Sequence, residues 1–201
     1  MKLKSVLFIL TILIINKVFA FDMDGIYYSV LSSSGIPSVA VTYGQVDYSG
    51  DIVIPAEVTY GGVTYKVISI GDFAFDGCSN LNSIHLPSTI TSIGYKAFRY
   101  CDNLKEINLE DTKLEEIGEN AFFSCESLES ISLPATLETI GEDAFIFCVF
   151  SSINVDSQNT TFDSREKCNA IIETASNTLL LGCKNTFIPN YWCPLKLFGL
   201  L

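Results

Sequence analysis

The chain has 201 residues, of which 12 are basic and 23 acidic, with a single histidine and seven cysteines. That length suffices for one domain with a real core. A formal charge of -11 argues against nucleic acid or an anionic membrane as the main partner. One histidine excludes a metal site built from several.

Residues 1–20 read as a secretory signal peptide. Lys2 and Lys4 precede the apolar run "SVLFILTILII", and "NKVFA" then places Val18 and Ala20 where a signal peptidase prefers small or aliphatic side chains, with the cut after Ala20. A membrane anchor is the competing reading, but the run is short for a span and no stop-transfer pattern follows. No cysteine follows the cut to carry a lipid, and no later stretch is apolar enough to cross a bilayer. Cleavage removes Lys2, Lys4 and Lys17 and no acid. The 12 basic residues against 23 acidic become 9 against 23, and the formal charge moves from -11 to -14. The expected location is secreted or on the cell surface.

Residues 21–68 read as strands and turns that form an N-terminal cap: "DGIYYSVL", "SVAVTYG", "GDIVIP" and "VTYGGVTYKV". The last is a hairpin signal around Gly61-Gly62. "DMDG" (Asp22–Gly25) has the opening of a calcium loop but lacks the later Glu, and reads as a turn.

Residues 69–155 repeat themselves. I-G-x-x-A-F-x-x-C is spelled four times, with Ile70, Ile93, Ile117 and Ile140 at spacings of 23, 24 and 23. Gly71, Gly94, Gly118 and Gly141 follow; Phe75, Phe98, Phe122 and Phe145 come next, and Cys78, Cys101, Cys125 and Cys148 close each copy. Such a period marks a solenoid of leucine-rich-repeat size, whose units bury their apolar faces only by stacking. After the cysteines, "LNSIHL", "LKEINL" and "LESISL" share L-x-x-I-x-L. Strand alternation buries Ile84 and Leu86, Ile107 and Leu109, Ile131 and Leu133, and turns the residues between them outward. Thr89, Thr112 and Thr136 stand where such repeats usually place Asn or Cys, and their hydroxyls can bond the turning backbone. The Ala-Phe-x-x-Cys half has three- and four-residue spacings that fit one short helical turn, with Asp72, Glu119 and Glu142 at its start. The expected class is therefore α/β: a solenoid of short parallel strands with short helical turns opposite and a β-rich N-terminal cap. A cysteine in a stacked column behaves as a small apolar residue, so these four are expected as buried thiols. Cys168 and Cys183 could pair, which sequence alone does not decide.

Residues 156–201 hold a second hairpin, "NAIIETASNTLLLG" (Asn169–Gly182), turning near Ser176-Asn177. "TFIP" then resembles the strand ends at Ile54-Pro55, Leu86-Pro87 and Leu133-Pro134. Another I-G-x-x-A-F should follow, but the chain continues "NYWCPLKLFGLL". "NTT" at Asn159 matches a glycosylation acceptor.

The four I-G-x-x-A-F-x-x-C copies, the lead-in "GDIVIP…VTYGGVTYKVISIG" and "FDSREKCNAIIETASNTLLLGCKNTFIP" resemble the BspA-like leucine-rich-repeat family of bacteria. The resemblance implies secreted or cell-surface proteins, several of them associated with adhesion to host matrix proteins or to other bacteria. Members commonly continue with more repeats or a surface-sorting region, and neither is visible after Pro189.

Nothing in the sequence reads as an enzyme or a cofactor site. A Ser-His-Asp or Cys-His arrangement would have to use His85, which sits mid-strand without distinctive neighbours. No phosphate-binding glycine loop occurs. The residues that can carry function are the outward strand positions: Ser83 and His85, Glu106 and Asn108, Ser130 and Ser132, continued by Ser152 and Asn154. Parallel strands about 4.8 Å apart would make continuous columns of them. The expected function is protein–protein or host-matrix adhesion through this face, with a protein or glycan as ligand. The alternative is a structural or truncated repeat protein without binding of its own. The apolar tail points to self-association through the C-terminal end: deleting Tyr191–Leu201 should leave the thermal midpoint nearly unchanged and reduce self-association in sedimentation. A large fall in the midpoint would show instead that the tail caps the last coil.

Overall fold

The computed structural model describes residues 20–183 except Ser34, Val46, Glu166 and Lys167. The leader up to Phe19, Cys193 and the "TFIP" and apolar-tail segments lie outside the described residues. The chain begins with a hairpin of β1 (Ala20–Met23) and β2 (Ile26–Ser32), turned at Asp24 and Gly25 with φ of 52° and 81°. β3 (Ser38–Thr42) runs antiparallel to β2. β4 (Gly50–Val53) belongs to a different sheet. β5 (Glu57–Tyr60) and β6 (Val63–Ile70) pair across Gly61-Gly62, whose φ values of 59° and 81° suit the tight primed turn that two glycines permit. β6 joins this N-terminal region to the repeats: it pairs with β5, with β3, and through Ser69 and Ile70 with Ser92 and Ile93 of the first coil.

Each coil then contributes two strand segments. The Ile-Gly step forms β8 (Ser92–Ile93), β10 (Glu116–Ile117) and β12 (Thr139–Ile140), stacked in parallel after β6. The L-x-x-I-x-L step forms β7 (Leu81–His85), β9 (Glu106–Ile107), β11 (Ser130–Leu133) and β13 (Ser152–Val155). Alternation works as the pattern predicts: Ile84, Ile107 and Ile131 are buried. An antiparallel sheet of β14 (Phe162–Asp163), β15 (Ala170–Glu173) and β16 (Thr178–Gly182) comes after the last coil, with Asn177 left-handed at the β15–β16 turn.

The Ala-Phe-x-x-Cys half is not helical, and no α-helix occurs among the described residues. The expectation of helical turns fails because the backbone amides there serve two masters alternately. Ala74, Asp76 and Cys78 N–H donate back three residues within the turn, at 3.2, 3.2 and 3.1 Å. Phe73, Phe75 and Gly77 N–H donate instead to Tyr95, Ala97 and Arg99 of the next coil, at 2.9, 2.7 and 2.7 Å. An α-helix would spend all of these amides internally. Turning every second amide outward requires left-handed residues, found at Phe73, Lys96, Asn120 and Asp143 and again at Gly77, Tyr100, Ser124 and Phe147. Asp72 has no helix to start; its carboxylate accepts the Tyr95 N–H of the next coil at 2.8 Å.

The phenylalanines stack in one file. Phe75–Phe98, Phe98–Phe122 and Phe122–Phe145 have centroids 5.0, 5.1 and 5.4 Å apart and planes within 9° of parallel. Tyr48 stands before the file, 4.7 Å from Phe75, and Phe150 closes it, 5.9 Å from Phe145. Phe98 and Phe122 have no exposed surface. Phe98→Ala or Phe122→Ala should therefore lower stability by about 3–5 kcal/mol in urea unfolding, since each removes a buried ring and its stacking partners on both sides. A loss under about 1 kcal/mol would show that the file is not core.

Candidate functional site

The outward residues of the L-x-x-I-x-L strands do not form one continuous column. β4, β7 and β9 make one sheet, β11 and β13 another, and β9 does not pair with β11. Asp51, Ser83 and Glu106 follow one another in register on the first, while Ser130 and Ser132 lie opposite Ser152 and Asn154 on the second. The cause is one extra residue. Leu86 to Ile90 and Leu133 to Leu137 are four apart and contain proline, whereas Leu109 to Leu114 are five apart and Glu110 replaces the proline. The chain takes up the excess in a 3-10 turn, Leu109–Asp111, that draws β9 away after two residues.

Asn108 repairs the ladder at that point. Its Oδ1 accepts the Leu86 N–H at 2.7 Å and its Nδ2 donates to the Leu86 carbonyl at 3.1 Å, so a side-chain amide replaces the missing strand partner. Nδ2 also reaches Asp111 at 3.2 Å. Asn108 is thus half-buried and engaged, not freely offered to a ligand. The break leaves a shallow groove of about 390 Å³, lined by Ser83, His85, Glu106, Asn108, Glu110 and Ser130 with Ile84 and Ile107 as its floor. Of the six outward residues singled out from sequence, only Ser132 lies outside the lining. Ser83 donates to the Asp51 carboxylate at 2.8 Å, while His85, Glu106, Glu110 and Ser130 are exposed. The groove is acidic and hydroxyl-rich. Glu110 was missed by reading strands alone; the signal was the lengthened Leu109–Leu114 step.

The remaining sequence-derived candidates resolve into structure. Thr89 and Thr136 hydroxyls donate across coils to the Val67 and Leu114 carbonyls, at 2.6 and 2.7 Å. Thr112, on the lengthened turn, bonds within it to Leu109. Asn159 fails as a glycan acceptor in this fold. Its buried Nδ2 donates to the Pro134 and Leu137 carbonyls, both at 2.9 Å, and its Oδ1 accepts from Thr161 and Phe162. Cys168 is a free thiol, so it forms no bridge with Cys183. Among the described residues no group of three or more His, Cys, Asp or Glu is placed to hold a metal, and no helix is long and apolar enough to cross a membrane.

A second surface was not visible in the sequence. Phe73, Tyr100 and Phe147 are exposed at left-handed positions. Edge-to-face contacts join Phe73 to Tyr95, Tyr100 to Phe123 and Phe123 to Phe147, while Lys96 lies over the Tyr95 ring and Arg99, paired with Asp76, over Tyr100.

The comparisons agree with this geometry. The model of the BspA type leucine-rich-repeat region matches residues 57–170 in six copies. The chain belongs to that family. The model counts two more units than the four spelled by the I-G-x-x-A-F-x-x-C signature. A leucine-rich-repeat protein of Bacteroides ovatus is 34% identical over 67% of this chain and 36% of its own, with a TM-score of 0.57. One from Bacteroides capillosus is 24% identical over 69% of this chain and 99% of its own, also at 0.57, and shows the fold. So does the pneumococcal vaccine antigen PcpA, 19% identical over 84% of this chain and 57% of its own, at 0.55. The chain thus spans little more than a third of the first of these and over half of the third. No curated protein matches it.

Within this BspA-type solenoid the cysteine column has a bonding role. Cys101, Cys125 and Cys148 thiols each donate, at 3.1 Å, to the carbonyl of Phe75, Phe98 or Phe122 in the preceding coil. Each of those carbonyls already accepts the N–H of its own coil's cysteine, so the thiol fills its second lone pair. Burial pushes the Cys78 thiol from 9.0 up to about 11 and raises Cys101 further. Contact with the Cys148 thiol, then burial, raises Cys125. These thiols keep their protons more tightly in the folded chain than in the unfolded one. Their contribution to stability is complete below about pH 9 and is lost as pH rises through 11 and beyond. Thermal midpoints should fall over that window, and Cys78, Cys101 and Cys125 should resist a thiol reagent at neutral pH until the protein unfolds. Cys148, in the last coil, is only half-buried, contrary to the expectation of four buried thiols. Rapid labelling of Cys78, Cys101 or Cys125 in the native protein would refute the buried column.

Proposed function

We propose that the chain is a secreted or surface-exposed binding module that adheres to an extracellular protein, of the host-matrix class, through the groove between β9 and β11. The observation that carries this is the interruption of the strand ladder, which turns a flat polar face into a concavity where His85, Glu106, Glu110 and Ser130 converge. A flat row of small polar residues offers many weak contacts, while a recess with exposed acids beside hydroxyls can desolvate and orient a partner's basic or hydroxylated side chain. The leader-like N-terminus supports the extracellular reading. The module needs no catalytic chemistry for this role. Anchoring is assigned to no segment.

Purified protein should bind immobilised matrix glycoproteins or collagens in biolayer interferometry. Glu106→Lys combined with His85→Ala should weaken that binding by about tenfold or more, with the thermal midpoint unmoved because both side chains are exposed. A wild-type protein that binds none of the panel would favour a structural repeat protein without binding of its own.

A further inference from the structure

Among the described residues the sheet of β4, β7 and β9 ends at β4, which pairs there with β7 alone. Gly50 N–H donates to the Asn80 carbonyl at 2.8 Å and Ile54 N–H to the His85 carbonyl at 2.9 Å. Amides alternate along a strand, so those of Gly50, Ile52 and Ile54 point at β7 and those of Asp51 and Val53 point away. No described group accepts from either. The β1–β2–β3 sheet closes the neighbouring ladder instead, through β3 on β6. Solenoids and open sheets usually shield such an edge, because a row of unpaired N–H and C=O groups is a template for another strand. Here Val53 stands 66% exposed on it.

An open groove of about 610 Å³ runs along the same edge. Ile52 and Val53 form one wall, Met23 and Ile26 at the β1–β2 turn another, and Val58 lies among its apolar lining. Its charged lining residues are Asp24, Asp51 and Glu57, with no base among them. Asp51 is held by the Ser83 hydroxyl at 2.8 Å, which orients a carboxylate at the strand's outer face.

We infer that this edge is a peptide-binding site that takes an extended basic segment of a partner protein as an added strand. The partner's backbone carbonyls accept from Asp51 and Val53 N–H, continuing the ladder. Its side chains alternate: apolar ones turn in beside Ile52, Ile26 and Val58, and lysines or arginines turn out beside Asp51, with Asp24 and Glu57 reinforcing the field. Main-chain bonds supply affinity in this mode, and the alternate pockets supply specificity. The site shares no lining residue with the β9–β11 groove, although Ser83 of that groove bonds Asp51 of this one.

The test uses the purified full chain and a short synthetic peptide of alternating lysine and valine. Amide exchange of the free protein should show Asp51 and Val53 N–H unprotected, and the peptide should protect both. The same peptide with N-methylated alternate amides, blocking one backbone edge, should bind only through the other. With both sets methylated it should not bind. Val53→Pro removes one donor at a position where an edge strand tolerates proline, and should weaken peptide binding by about tenfold with the thermal midpoint kept. Asp51→Asn should flatten the salt dependence of binding. Three outcomes would overturn the inference: no peptide binding, equal affinity for the fully methylated peptide or for a folded Val53→Pro protein, or amides already protected in the free protein. The last would mean that another segment of the chain or a second copy covers the edge.

Discussion

At the Ile-Gly step adjacent coils touch backbone to backbone, and the rest of the solenoid is arranged around that contact. Gly94, Gly118 and Gly141 N–H donate back to the Ile70, Ile93 and Ile117 carbonyls at 2.7–2.8 Å. A methyl at Gly118 would lie 2.6 Å from the Gly94 carbonyl carbon, and one at Gly141 2.3 Å from the Glu119 nitrogen. Neither obstacle can swing aside, since both are main chain. These glycines are chosen for the absence of a side chain, not for conformational freedom, because none of the three adopts a positive φ. Coils locked this closely place equivalent residues of successive repeats in direct contact. That is why identical letters recur: each phenylalanine stacks flat on the ring at the same position of the next coil, and each thiol reaches the preceding coil's carbonyl from the same position.

The contact also sets a cost. With the Ile-Gly strands pinned, the chain must turn sharply twice before the next L-x-x-I-x-L strand, and it does so through left-handed residues that are mostly not glycine. Each such residue costs on the order of 1 kcal/mol or more. The forward amide bonds to the next coil, together with the buried Ala, Phe and Cys between the strained positions, offset it. This division explains the exposed rings. Phe73, Tyr100 and Phe147 occupy left-handed positions whose side chains lie on the surface, and they recover part of the loss by packing edge-to-face on one another's neighbours.

Much of this was legible in the sequence, and the parts that were not have identifiable reasons. The period, the buried columns, the alternation at Ile84, Ile107 and Ile131, and the glycine hairpin at Gly61-Gly62 could be read because each rests on a local rule. The Ala-Phe-x-x-Cys half was misread as helical because tight turns and helices share the same three-residue spacing; only the destination of alternate amides separates them, and that is a tertiary fact. Asn159 matched a three-letter acceptor pattern, yet its amide is consumed by the Pro134 and Leu137 carbonyls. It shows that an asparagine followed by threonine at the end of a repeat can be a turn-holding residue. The groove lining was mostly recovered, but as a column that the structure divides in two.

That division bears on how a repeat protein can acquire a function at all. A perfect solenoid satisfies its backbone everywhere and offers only flat, repeated surface. One added residue between Leu109 and Leu114 removes the pairing of β9 with β11, and the Asn108 amide saturates the Leu86 groups that would otherwise be left bare. The side-chain amide thus keeps the β7 side of the defect satisfied, while the surface above it changes from a plane to a recess. At β4 the periodicity lapses in a different way: it is the first strand of its ladder, and its outward amides meet no acceptor among the described residues. The two departures differ in kind. One is filled from within by a side chain, so its ligand must recognise side chains; the other leaves main-chain groups open, so any ligand that completes it must bring a backbone.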